Sequence, residues 1–89
     1  MRTVIIDGRR CKSKEQAHEY IARKLQMPSY YGKNLDALYD ILTSFDERIH
    51  LRIRYFSKVE TRPNDYRSKL LKVFDDAAKE NKRIFLEMI

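Results

Sequence analysis

The residues Ile49-His50-Leu51-Arg52-Ile53-Arg54-Tyr55 alternate apolar and polar without a break. Successive side chains of a strand point to opposite faces, so Ile49, Leu51, Ile53 and Tyr55 fall on one side and His50, Arg52 and Arg54 on the other. A strand written this way is covered on one side only. That limits the whole chain, because the helices that accompany such a strand have to gather on a single face. Two further stretches read as strands: Thr3-Val4-Ile5-Ile6, β-branched, short and closed by Asp7-Gly8, and Arg83-Ile84-Phe85-Leu86-Glu87-Met88-Ile89.

Between these stretches the period changes to that of helices. Ser13 with Gln16 three residues later is a capping-box pattern, and Ala17, Tyr20, Ile21 and Leu25 continue one apolar stripe until Pro28 stops it. Asn34 is placed to cap a second helix, in which Leu35, Leu38, Leu42 and Phe45 recur on one face with Ile41 beside it. Gly32 is expected to take a positive φ and turn the chain into that cap. Ser57 to Arg62 reads as a short helix broken at Pro63-Asn64. Asp65 then caps a longer helix with a stripe of Tyr66, Leu70, Val73, Phe74 and Ala77, and Asn81 is expected to end it in the left-handed conformation. The order is β, α, α, β, short α, α, β. Parallel strands need helical crossovers, and right-handed crossovers stack helices onto one side of the sheet. The expected fold class is therefore α/β, a two-layer, three-stranded parallel sheet with helices packed on one face, built as a single domain over residues 1–89.

A hydrophobic share of 43% with only two Gly and two Pro suits a globular chain. No apolar run approaches membrane-spanning length and the N-terminal apolar stretch is too short for a signal peptide, so a cytoplasmic protein with no membrane partner is expected. The single cysteine, Cys11, excludes an internal disulfide and fits a reducing compartment. With no Cys/His cluster, and with His18 isolated from any second ligand on its helix, neither a metal nor another cofactor is expected.

The net charge of +6 is segregated. Lys33 against Asp36, Asp40, Asp46 and Glu47 makes residues 28–47 net −3, leaving +9 on the remainder. A basic chain points first to nucleic acid or an anionic surface. Arg9, Arg10 and Lys12 form a loop cluster, and Arg52 with Arg54 forms a stripe on the open face of the sheet; each reads either as solvated surface or as a phosphate contact. Asp36 and Asp40, four residues apart, share an exposed flank of the second helix with Thr43 and Glu47 nearby. That flank reads as solvated helix surface, with Tyr30 and Tyr31 covering a core edge, or as a binding patch. It does not read as catalytic, since acid/base work needs a cleft, unequal environments and converging polar groups. No Gly-rich phosphate loop, nucleophile elbow or His-plus-Cys constellation accompanies it, and no enzyme is expected.

The run Tyr30-Tyr31-Gly32-Lys33-Asn34-Leu35-Asp36-Ala37-Leu38-Tyr39-Asp40 closely resembles the signature of the barstar family of ribonuclease inhibitors, YYG-x-NLDAL-aromatic-D. Lys33 fills the free position, and Tyr39 stands where tryptophan is usual. The resemblance extends to the chain's length, its opening strand and its second half. It implies a bacterial antitoxin or immunity-type protein that forms a heterodimer with an extracellular-type or toxin ribonuclease. A ribonuclease cleft holds phosphates with Arg, Lys and His, so carboxylates on a rigid helix can take the phosphates' places. By resemblance Asp40 is the deepest carboxylate, Asp36 and Asp76 pair with flanking basic groups, and Tyr30 lies where a base would stack. Tyr39 and Tyr31 pack the patch edge beside Leu35, and Asn34 and Thr43 add hydrogen bonds. Two alternatives stay open: a basic nucleic-acid-binding module using Arg9, Arg10, Lys12, Arg52 and Arg54, and a barstar-like fold serving a protein partner other than a nuclease.

If Asp40 is held for binding, Asp40→Ala leaves stability unchanged or slightly raised. It removes a like-charge pair costing about 0.2–0.5 kcal/mol and raises helix propensity. Urea denaturation checks this, and a loss above ~2 kcal/mol would instead mark a structural carboxylate.

Overall fold

Strands β1 (Arg2–Asp7), β2 (Ile49–Arg54) and β3 (Ile84–Met88) form one parallel sheet in the order β1-β2-β3, with Val4 beside Leu51 and Leu51 beside Leu86. These are the elements of a computed structural model that describes residues 1–56 and 65–89; the short helix expected over Ser57 to Arg62 lies outside the described residues. The alternation of β2 decides the sheet's two faces. Ile49, Leu51 and Ile53 are fully buried, whereas His50 and Arg52 are half-buried and Arg54 is exposed. Val4 and Ile6 of β1 and Ile84 of β3 join the buried side. In consecutive strand order with right-handed crossovers every connection steps the same way, which puts the helices over that one face.

The helices are α1 (Lys14–Lys24), α2 (Leu35–Thr43) and α3 (Tyr66–Glu80). Ser13 Oγ accepts from Gln16 N at 3.2 Å and Asp65 Oδ1 from Arg67 N at 2.9 Å, as N-caps that satisfy backbone donors with no partner inside the helix. The stripes Ala17, Ile21 and Leu25, Leu38 and Leu42, and Leu70, Phe74 and Ala77 close over the sheet, and Phe74 meets Phe56 edge-on at 6.0 Å. After β1 the chain makes a single 3-10 turn, Gly8–Arg10. A Cβ on Gly8 would stand 2.4 Å from the Tyr55 carbonyl oxygen, so only glycine lets the ends of β1 and β2 lie this close.

Three local expectations are corrected. Tyr55 does not continue the strand: it takes φ 61° and Phe56 fills the buried place instead. Gly32 does not carry the left-handed turn before α2; Lys33 does, at φ 55°. At Gly32 a Cβ would be tight and not forbidden, 3.3 Å from Ala37 Cβ and 3.4 Å from the capping Asn34 amide. Asn81 is extended, at φ −118° and ψ 104°, and not left-handed. Its buried side-chain amide donates to Leu42 O at 3.0 Å and Phe45 O at 3.1 Å, satisfying the carbonyls at the C-terminal end of α2. An extended backbone is what lets it reach them.

Asn81 thus pins one helix with a side chain from the end of another. Asn81→Ala takes the side-chain donor from Phe45 O and leaves Leu42 O with only the backbone N–H groups at the end of the helix. With an unsatisfied group costing about 1–3 kcal/mol, it is expected to lower the urea midpoint without changing the slope.

Candidate functional site

Helix α2 is held at both ends. At its start, Asn34 Oδ1 accepts from Ala37 N at 2.8 Å while its Nδ2 donates to Gly32 O at 3.3 Å; at its end it is held by Asn81. On this fixed rod, Asp36 and Asp40 are exposed, and among the described residues neither carboxylate has a hydrogen bond or an ion pair. The acids of α3 differ: Asp76 is paired along its helix with Lys72 at 3.2 Å and Asp75 with Lys79 at 3.0 Å. Other acids follow α3, with Asp7 on Arg9, Asp65 on Arg67 and Glu87 on both His50 and Arg52. In a chain with six more cations than anions, α2 keeps two carboxylates free.

Each of the two borders a cleft. Asp40 edges one of about 380 Å³ with Pro28, Tyr30, Ile41, Ser44 and Phe45, and the Tyr30 ring stands out at 83% exposure. Asp36 edges another of about 540 Å³ with Lys14, Asn34, Leu35, Tyr66 and Lys69. Leu35 and Tyr39 are half-buried against the core. The Thr43 hydroxyl donates to Tyr39 O at 2.8 Å, so its proton is engaged within the helix, although its oxygen can still accept. Asp76, with 43% of its side chain exposed, belongs to α3 and meets a partner only by releasing Lys72.

Tyr31 lies beneath the patch and not at its edge. It is buried, and its hydroxyl meets His18 Nδ1 at 2.5 Å, while His18 Nε2 meets the Tyr66 hydroxyl at 2.6 Å. A neutral imidazole has one N–H and one acceptor, so one tyrosine donates to the ring and the other accepts from it. Burial, with Lys14 nearby, lowers the His18 pKa, and burial raises that of the Tyr31 phenol. Both stay uncharged at neutral pH. The bridge ties α1, the Tyr30 loop and the start of α3 together, a role that sequence reasoning missed. The available signal was a histidine beside Ala17 and Ile21 on an apolar stripe, which marks a buried polar group but not its partners.

The basic residues do not assemble into one free patch. Arg52 donates to Glu87 at 3.1 Å, and Arg9 pairs with Asp7 at 2.8 Å while stacking on the Tyr55 ring at 4.4 Å. Arg54 stacks on the same ring at 5.0 Å, whereas Arg10 covers Tyr20 of α1 at 4.9 Å, on the helical layer. Lys12 is exposed. The Cys11 thiol is buried, and its pKa is pushed up by that burial to about 12, leaving it inert.

Comparison with known proteins places this geometry in context. Residues 1–88 match the family described as Barstar (barnase inhibitor). A Bacillus subtilis (strain 168) protein named "Putative ribonuclease inhibitor YrdF" is 40% identical over 86 residues, covering 96% of this chain and 94% of the relative.

The lowered pKa of His18 sets a pH dependence. The unfolded histidine binds its proton near pH 6.5 and the folded one only lower, so this stability is present above the unfolded pKa and is lost as the pH falls below it. His18→Gln is expected to remove this part of the slope in urea titrations at successive pH values. Further loss in more acid solution persists in both proteins, because Asp7, Asp65 and Glu19 have pKa values lowered by Arg9, Arg67 and Lys33. An identical slope in the variant just below pH 6.5 would contradict this assignment.

Proposed function

The chain belongs to the Barstar (barnase inhibitor) family, and from that premise we propose that it inhibits a ribonuclease by setting the acidic face of α2 into the enzyme's phosphate-binding cleft. The observation that carries the reading is the pair of unpaired carboxylates, Asp36 and Asp40, on a helix fixed at both ends in a chain of net charge +6. Carboxylates left without partners are ready to form charge-assisted bonds with Arg, Lys or His of a nuclease, and a rigid helix lowers the entropy lost in forming them. Asp40 enters the phosphate site, and Tyr30, projecting beside the same cleft, takes the place of a stacked base. Asp36 and Asp76 meet flanking basic groups, Tyr39 and Leu35 back the surface, and Tyr31 supports it from below through His18.

Antitoxin or immunity action in the cytoplasm fits this chemistry, with a heterodimer that neutralises a nuclease before its secretion or on its entry. The positive body of the protein bears on the choice of enzyme. Beyond about 10 Å at 0.1 M salt only the local acidic patch still attracts, so a strongly basic nuclease gains little long-range steering. The cognate enzyme is accordingly one less basic than usual, or one whose contacts reach this protein's positive surface. A nucleic-acid-binding role has less support, because Glu87 and Asp7 already engage Arg52 and Arg9. A protein partner that is not a nuclease would meet the same face and be separated by its effect on RNA cleavage.

Calorimetric titration against barnase-like ribonucleases, with a short RNA in parallel, tests the reading. Asp40→Ala is expected to cost at least about 2 kcal/mol of binding, about 30-fold in Kd; the barnase–barstar pair is itself a reference case for such hot spots. Ribonuclease binding indifferent to Asp40→Ala, or RNA binding that survives it with no ribonuclease binding, would overturn the proposal.

A further inference from the structure

Strand β3 and the residue after it carry exposed apolar side chains on both of the strand's faces. Three of the six most exposed large hydrophobics lie in or directly after this strand: Phe85 at 59%, Met88 at 50% and Ile89 at 49%. The backbone adds to this. Ile49 N donates to Arg83 O at 2.9 Å and Ile89 N to Ile53 O at 2.8 Å, so odd-numbered residues of β3 turn their polar groups toward β2. The N–H and C=O groups of Leu86 and Met88 therefore point outward, and among the described residues no strand pairs with them. Among the described residues nothing blunts the edge. It has no proline or bulge, and the Glu87 carboxylate is drawn onto the open face by His50 and Arg52.

Beside this edge lies a cleft of about 400 Å³ between β3 and α3, lined by Ser68, Leu71, Lys72, Asp75, Leu86 and Met88. We propose that its occupant is a second copy of this chain, joined through antiparallel pairing of the two β3 strands about a two-fold axis at Leu86. In that register the two Leu86 residues exchange backbone hydrogen bonds, and Met88 N of each copy donates to Ile84 O of the other. The pattern is self-complementary, as a two-fold interface requires. The charges agree with it. α3 runs against β3 in the parallel crossover, so the same axis brings Lys72 of each copy toward Asp75 of the other, opposite signs on the two rims of one apolar groove. Each would be shared with its present partner in the helix, Asp76 for Lys72 and Lys79 for Asp75. Leu71 and Met88 of the two copies then close the groove. α2, with Asp36 and Asp40, lines none of it, so those two carboxylates stay free in the dimer, whereas Asp76 lies at its border through Lys72.

Sedimentation equilibrium of the full chain tests this from about 10 μM to about 1 mM, the span suited to an interface at the small end of the range, below about 1,200 Å². The mass is expected to rise with concentration from 10.8 kDa toward twice that value. Met88→Pro removes only an outward N–H, which the monomer does not use, and Met88→Lys places a charge on the groove. Each is expected to weaken the dimer at least tenfold with the circular dichroism of the monomer retained. Should the proline variant fail to fold, the lysine variant decides alone. A wild-type chain that stays monomeric throughout, or a dimer that persists unchanged in the folded variants, would overturn the proposal.

Discussion

The imidazole of His18 meets Tyr31 with one nitrogen and Tyr66 with the other, and the placement of the acidic surface depends on that buried bridge. Tyr31 is the residue next to Tyr30, and the loop that carries both runs into the Asn34 cap of α2. Fixing the Tyr31 hydroxyl therefore fixes where Tyr30 projects and where the helix begins. Asn81 performs the matching task at the far end, with its amide on Leu42 O and Phe45 O. Buried polar groups satisfied in this way specify a single arrangement, whereas leaving either end unsatisfied carries a desolvation penalty. A binding surface of a few carboxylates needs such support, because its complementarity depends on carboxylate position more than on area.

Most acids of the described residues are paired, and Asp36 and Asp40 belong, with Glu15, Asp46 and Glu80, to those that are not. Asp7, Asp65, Asp75, Asp76 and Glu87 each have a cation close by, in pairs that at exposed positions add little stability. Asp36 and Asp40 have none, despite Lys14 and Lys69 lining the cleft that Asp36 borders. Their mutual repulsion is a small folding cost, within what a helix fixed at both ends tolerates. On the proposed function that cost has a purpose, since the same carboxylates would find their counter-charges in a ribonuclease.

Much of this was legible in the sequence because it rests on short-range rules. The alternation from Ile49 to Arg54 announced a one-sided sheet, and Ser13, Asn34 and Asp65 are caps at the positions their spacing indicated. What was not legible depends on contacts between residues far apart in the chain. Asn81 looked like a helix terminator because asparagine tolerates the left-handed conformation, but its side-chain amide reaches the Leu42 and Phe45 carbonyls, about 40 residues earlier, from an extended backbone. Tyr31 was read as covering a core edge or packing the edge of the patch, and its partner His18, 13 residues before it, is what the local pattern does not contain. Arg52 and Arg54 were correctly placed on the open face. The neutralising Glu87 comes from a neighbouring strand, and the pairing register, which the local pattern of β2 does not contain, is what brings it there.

Amide chemical-shift mapping of the isotope-labelled protein titrated with a barnase-like ribonuclease tests the central claim most directly, because it reports where the partner sits. The account predicts perturbations concentrated at residues 30–43 and around Asp76, with the open sheet face silent. Perturbations centred instead on Thr3, Ile5, Arg52 and Phe85, with α2 unchanged, would contradict it.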